Sequence, residues 1–211
     1  MDQDRPDHRS SLTAAASGAD GSGRAGPWRD SVRRYLRKMR GTTRGSPPRV
    51  SWSEILWSWV GSLLGIGAVA LINRGLFSGT DQLYMLGSFG ASAVLLFGAP
   101  KSPLAQPRNL VGGHLLSALV GVLCFDLLGG SPMVAESFAV ATAIALMHLT
   151  RTLHPPGGAT ALIAVAGSDE LHALGYLYVL MPVGLGAVVL LAVALLVNNL
   201  NPQRRYPEIW Y

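Results

Sequence analysis

LGYLYVLMPVGLGAVVLLAVALLV, residues 174–197, is 24 residues long and carries no charge. A helix needs about 20 apolar residues to cross the hydrocarbon core of a bilayer. No core of an ordinary soluble domain requires such a run. Working outward, five more apolar segments precede it: Trp52–Ile72, Leu83–Ala99, Asn109–Leu128, Met133–Thr150 and Gly157–Gly167. The second and fifth are short, at 17 and 11 residues. The sequence predicts an all-α polytopic membrane helix bundle, with four full spans plus two short Gly-rich segments, over residues 50–200.

Charge is distributed to match. Of 17 Lys and Arg, eleven precede Val50, and only 14% of the chain is charged, against about 25% in a soluble domain. Six crossings place every positive charge except Arg74 on one side, as the positive-inside rule asks. A four-crossing alternative, with the short segments re-entrant, would put Lys101, Arg108 and Arg151 outside. The six-element topology is preferred, with both termini cytoplasmic and residues 201–211 a short cytoplasmic tail. Asp126 and Glu136 then lie near the outer face.

Residues 1–49 read as a disordered basic tail. Within it Trp28, Val32, Tyr35, Leu36 and Met39 recur at helical spacing between Arg and Lys. That pattern predicts an amphipathic helix over 28–40, suited to anionic lipid at a membrane surface. The competing reading is a cationic tail that only sets topology. Next to a membrane domain no nucleic-acid role is expected. Asp2, Asp4, Asp7 and Asp20 argue against a transit peptide, and no signal peptide is expected. The lone Cys124 reads as a small buried hydrophobe.

A weak internal repeat supports six elements. Gly90-Ala-Ser-Ala-Val-Leu95 resembles Gly158-Ala-Thr-Ala-Leu-Ile163, 68 residues on. Each stretch sits in the short middle segment of a half, so three crossings per half give a 3+3 inverted repeat. Paired short Gly-rich segments in inverted halves point to a transport site near the midplane.

The chemistry concentrates around His148-Leu-Thr-Arg-Thr-Leu-His-Pro-Pro-Gly-Gly-Ala-Thr160. Pro155 and Pro156 are expected to stop a helix. Gly157 and Gly158 allow close backbone approach, and a helix starting near Gly158 would aim free N–H groups at an anion. Arg151 and His154 stand at that mouth. The bland reading is a tight turn whose positive charge fixes topology. Ser88, Gly90 and Ser92 in the matching stretch read as close packing, or, with Thr160, as hydroxyl donors to an ion. Arg108 opens the third segment. His114 lies about one turn inside it, facing either a polar pathway or a neighbouring carbonyl. If His114 or His154 titrates near neutrality, uptake depends on pH. No metal-ligand spacing, nucleophile elbow or phosphate loop accompanies these residues. No metal, cofactor or enzymatic activity is expected.

These stretches, above all LHPPGGATAL (153–162) and GSFGASAVLLFGAPKSPLAQPRNLVGGHLLSALVG (87–121), resemble the HPP family of membrane proteins, over roughly residues 50–200. The family is usually described with four spans, so the two short segments are where this chain departs. The resemblance implies transport: plant members are regarded as chloroplast-envelope nitrite transporters. The expectation is a transporter or channel for a small inorganic anion, nitrite or nitrate first, in a bacterial inner membrane. A homo-oligomer is expected because six short elements make a thin bundle. The alternative is a membrane scaffold or sensor that uses its basic tail as an interaction arm.

Overall fold

The computed structural model describes residues 27–39, 45, 48–74 and 79–210. Residues 1–26, 40–44 and 46–47 of the tail expected to be disordered lie outside the described set, as do 75–78 and 211. The chain divides into two units, Met1–Pro48 and Arg49–Tyr211.

The first unit contains α1 (Pro27–Met39), close to the expected 28–40. Thirteen residues make a helix about 20 Å long. Val32, Tyr35, Leu36 and Met39 are all exposed, and Arg37 and Lys38 fill the last turn, where cations complement the helix dipole.

The second unit is a bundle of six elements running up and down. They are α2 (Trp52–Arg74), α3 (Gly79–Ala93) continued by a π-helical turn (Val94–Gly98), α4 (Pro107–Leu128), α5 (Pro132–Leu149), α6 (Pro155–Ala166), and a last helix. Between α6 and that last helix, Asp169–His172 forms one turn, α7. The last helix is broken. A π-helical turn over Val179–Gly184, with Met181 outside helical dihedrals beside Pro182, leads into α8 (Leu185–Leu200). The apolar run of 174–197 thus supplies the span Val179–Leu200, with a break inside it because Pro182 has no N–H to continue the ladder. Among the described residues four helices are long and apolar enough to cross a membrane: Trp52–Arg74, Pro107–Leu128, Pro132–Leu149 and Val179–Leu200.

Contacts between connections define the two ends. At one end Arg108 Nη2 donates to the Thr150 carbonyl (2.7 Å), Ser58 Oγ donates to the Phe97 carbonyl (2.7 Å), and Arg204 pairs with Glu54 (2.7 Å). At the other, Ser168 N–H and Oγ both donate to the Asp81 carboxylate, and Phe125 stacks on His172. Lys101, Arg108, Arg151, Arg204 and Arg205 gather at the first, basic end. Asp126, Glu136, Asp169 and Glu170 lie toward the other. Both α3 and α6 run from end to end, so neither re-enters on its own side. α6 is nonetheless only 12 residues long, about 18 Å.

Packing follows the expected pseudo-symmetry. α2, which opens the first half, packs on α8, which closes the second; α5 packs on α4 in the same way. The middle helices α3 and α6 cross each other. The halves differ in one respect: α4 lies against α6 far more extensively than α8 lies against α3. Small residues permit that approach. A Cβ on Gly113 would come within 2.6 Å of His154 Cβ and 2.8 Å of the Thr152 carbonyl oxygen. A Cβ on Gly121 would meet the Ala161 carbonyl oxygen at 2.6 Å. The packing role expected of Gly90 is not found. A Cβ there has nothing within 4 Å, and one on Gly158 meets only Val140, at 3.8 Å.

The residues after α8 are not a loose tail. Tyr206 Oη donates to the Ala105 carbonyl (2.8 Å), and Gln106 Oε1 accepts from Glu208 N–H (2.9 Å). The segment straps the basic end. Burial raises the Tyr206 hydroxyl well above its usual range, so it remains a donor across the working pH range.

Candidate functional site

Five side chains singled out from the sequence meet inside the bundle: Ser88, Ser92, His114, His154 and Thr160. Each is at most 1% exposed. α3 supplies both serines one helical turn apart on a single face. α4 supplies His114, about two turns in from Pro107. His154 immediately precedes α6, and Thr160 lies on its second turn.

The prolines act differently from the expectation. Pro155 and Pro156 begin α6 instead of stopping a helix, occupying its first two positions. Proline suits that place because its N–H would be unsatisfied anyway and its φ is already helical. The consequence for anion binding is a correction. Two of the first N–H groups do not exist, and Gly157 N–H already donates to the His154 carbonyl (2.8 Å). The start of α6 is therefore not an open cradle of free donors. Gly157 instead buries its face against Ser117 and Gly113 of α4.

The polar groups satisfy one another. Ser92 Oγ lies 2.8 Å from His114 Nε2 and 2.9 Å from His154 Nε2. His114 Nδ1 lies 2.7 Å from Thr160 Oγ1. Thr160 Oγ1 lies 2.9 Å from Ser88 Oγ, which also reaches the Pro156 carbonyl at 3.0 Å. His154 Nδ1 donates to the Leu104 carbonyl at 2.8 Å. The two imidazoles stand 5.0 Å apart, and Phe89 packs on His114 at the same distance. Buried polar groups in an apolar surround are costly unless paired, and here every one is paired. The expected set of hydroxyls free for an ion is therefore closed in this conformation.

Arg108 and Arg151 do not join that cluster. With Pro103, Gln106, Asn109, Ile209 and Trp210 they line a separate cleft of about 310 Å³ at the basic end. The cleft adjoins the cluster through backbone. Asn109 Nδ2 donates to the Leu153 carbonyl (2.8 Å), next to His154, and Leu104 lies between Pro103 and Gln106. Arg151 holds φ +57°, a left-handed conformation uncommon outside glycine. It closes α5: Thr152 N–H reaches the Met147 carbonyl and Arg151 N–H the His148 carbonyl, the Schellman pattern.

The sequence reading missed several members. Leu104 contributes only a carbonyl and so leaves no trace in residue type. Tyr178 is fully buried and donates to the Thr160 carbonyl (3.0 Å). Asn198 accepts from Arg204 Nη1 (2.8 Å). Asn198 was legible as a polar residue within an apolar run; Tyr178 was not, because tyrosine is common at membrane interfaces.

Six antiparallel elements around a sealed polar centre, four of them apolar helices long enough to cross a membrane among the described residues, define a polytopic integral membrane protein. The profile of the HPP transmembrane region matches residues 47–207, and the chain belongs to that family. Two curated proteins of Dictyostelium discoideum, each named only as a transmembrane protein, are 46% and 44% identical over 180 and 181 residues. Those stretches are 84% of this chain but 57% and 63% of the relatives. The chain thus spans less than two thirds of the curated relatives it matches. No solved structure matches it.

Proposed function

We propose that this chain moves a small inorganic anion across a bilayer, with its basic end toward the cytoplasm. Nitrite and nitrate come first because plant members of the family are regarded as nitrite transporters. The observation that carries the reading is the cluster itself: two histidines and three hydroxyls, all sealed within an apolar membrane bundle. Polar groups at such depth are expensive, and they commonly mark a pathway. The basic cleft of Arg108 and Arg151 adjoins the cluster and would concentrate anions at its mouth. The broken helix at Met181–Pro182 supplies backbone that can shift, as in transporters with discontinuous helices.

In this reading the present arrangement is a closed one, and the hydroxyls of Ser88, Ser92 and Thr160 are released to the ion when α3 and α6 separate. The family resemblance and the cytoplasmic basic face favour an inner membrane, with α1 lying on anionic lipid. Proteoliposomes loaded with purified full-length protein test this. Nitrate or nitrite should enter them well above the rate in empty vesicles, and His154→Ala should abolish the excess. Rates equal to those of empty vesicles for both ions, and for other small anions, would overturn it.

A further inference from the structure

The hydrogen bonds of the central cluster have a direction, and donor–acceptor accounting recovers it. A carbonyl only accepts, so His154 Nδ1, 2.8 Å from the Leu104 carbonyl, carries a hydrogen. In the neutral ring Nε2 is then bare, since one nitrogen donates and the other accepts. Its partner is Ser92 Oγ at 2.9 Å, so the single hydroxyl hydrogen of Ser92 points to His154. The Ser88 carbonyl, at 3.3 Å, is the longer alternative. Ser92 oxygen is left to accept, and the donor beside it is His114 Nε2 at 2.8 Å. His114 Nδ1 is then bare and takes the hydrogen of Thr160 Oγ1 at 2.7 Å.

The reverse polarity is also complete. With a second hydrogen on His154, Nε2 donates to Ser92, Ser92 donates to His114 Nε2, and His114 Nδ1 donates to Thr160. Thr160 then turns its hydrogen to Ser88 Oγ at 2.9 Å or to the Pro156 carbonyl at 3.5 Å. No donor is stranded in either state. A histidine pair held only for packing needs one polarity; this pair has acceptors for both.

We propose that Thr160, His114, Ser92 and His154 form a proton relay between the bundle centre and the basic end, and that anion passage is coupled to a proton through it. The coupling rests on the transport reading above. The transfer balances as follows. An incoming proton binds Thr160 Oγ1 as the hydroxyl hydrogen of Thr160 passes to His114 Nδ1. The Nε2 hydrogen of His114 passes to Ser92, and the hydroxyl hydrogen of Ser92 passes to His154 Nε2. One proton has entered, His154 is the imidazolium, and every other member is neutral. Release is from His154 Nδ1 once water replaces the Leu104 carbonyl.

No other ionisable side chain interrupts the relay among the described residues. On α3 the next are Tyr84, exposed on the bundle surface, and Asp81, bound to Ser168 at the far end. α4 offers Arg108, engaged with Thr150, and Asp126 in its last turns. α5 offers Glu136 and His148, and α6 none. Lys101 precedes α4 at the surface. Tyr178 touches Thr160 only through its carbonyl, and Tyr206 is fixed on Ala105.

Two measurements on the full chain test this. In proteoliposomes clamped at zero potential with potassium and valinomycin, an inward nitrate gradient should acidify the lumen, read by entrapped pyranine, in proportion to nitrate entry. Nitrate entry at constant lumen pH would overturn the coupling and leave the transport reading intact; no entry of nitrate, nitrite or any other small anion would overturn the transport reading and the coupling with it. The relay is judged separately by ¹⁵N-histidine NMR in lipid. His154 should be the Nδ1–H and His114 the Nε2–H tautomer, and on acidification His114 should switch to Nδ1–H in step with protonation of His154. Ser92→Ala should disconnect the two events. Opposite starting tautomers, a His114 that keeps its tautomer as His154 protonates, or a His154 neutral throughout would each overturn the relay.

Discussion

Close approach of α4 to α6 rests on single atoms. Gly113→Ala puts a methyl against the Thr152 carbonyl and His154 Cβ, backbone and a short side chain that cannot swing away. Over-packing of this kind costs about 1–3 kcal/mol, read as a lowered midpoint of unfolding in SDS. Gly90→Ala meets nothing within 4 Å and should be neutral or gain up to about 1 kcal/mol from helix propensity. Arg151 offers a sharper separation of stability from function. It sits at φ +57° where a helix ordinarily ends in glycine. Arg151→Gly should stabilise the bundle by up to about 1 kcal/mol while reducing anion flux, because the cleft loses one of its two arginines. Stability and flux moving together would contradict that assignment. The two histidines and three hydroxyls were legible from residue type, since polar groups in apolar runs stand out. Their partners were not: a Leu104 carbonyl has no signature in sequence.

At the scale of elements, the short segments are where sequence and structure meet most closely. α3 and α6 are the shortest of the six, and together with His154, which caps the start of α6, they supply four of the five clustered side chains. The offset of 68 residues reappears in space, since Ser88 Oγ donates to the Pro156 carbonyl. The prolines were misread as a stop because a proline breaks a helix only from its interior; at the first positions it starts one. Hydropathy gives the sixth segment as a span, which the structure keeps over Val179–Leu200, but it is blind to the break at Pro182. α1 gives the element-scale test between the two functions weighed from the sequence. Deleting residues 1–49 should leave anion flux within about twofold at equal protein incorporation, whereas a scaffold would lose its activity with that arm. Flotation with anionic vesicles should weaken for the deleted chain, as expected of a basic surface helix.

The six-element bundle is closed at its basic end by the strap that follows α8. Arg204 is 2% exposed at its side chain and bonds Glu54, Ser58 and Asn198, so it ties α2, α8 and the strap together. Arg204→Gln should destabilise the bundle by about 2 kcal/mol, less than a fully buried pair, because Glu54 keeps 27% exposure. SDS unfolding would show it, and Lys101→Gln on the same face should leave the midpoint in place. The all-α class, six apolar elements, the paired halves and the segregation of positive charge are all legible along the chain. Those properties follow from hydropathy and charge summed along the chain, and the bilayer reads the same sums. That the hydroxyls and histidines close on one another, that the arginines stand apart in their own cleft, and that the tail folds back emerge only in three dimensions. Those outcomes depend on which donor finds which acceptor across helices far apart in sequence, and the packing of small residues that sets those distances has no one-dimensional signal.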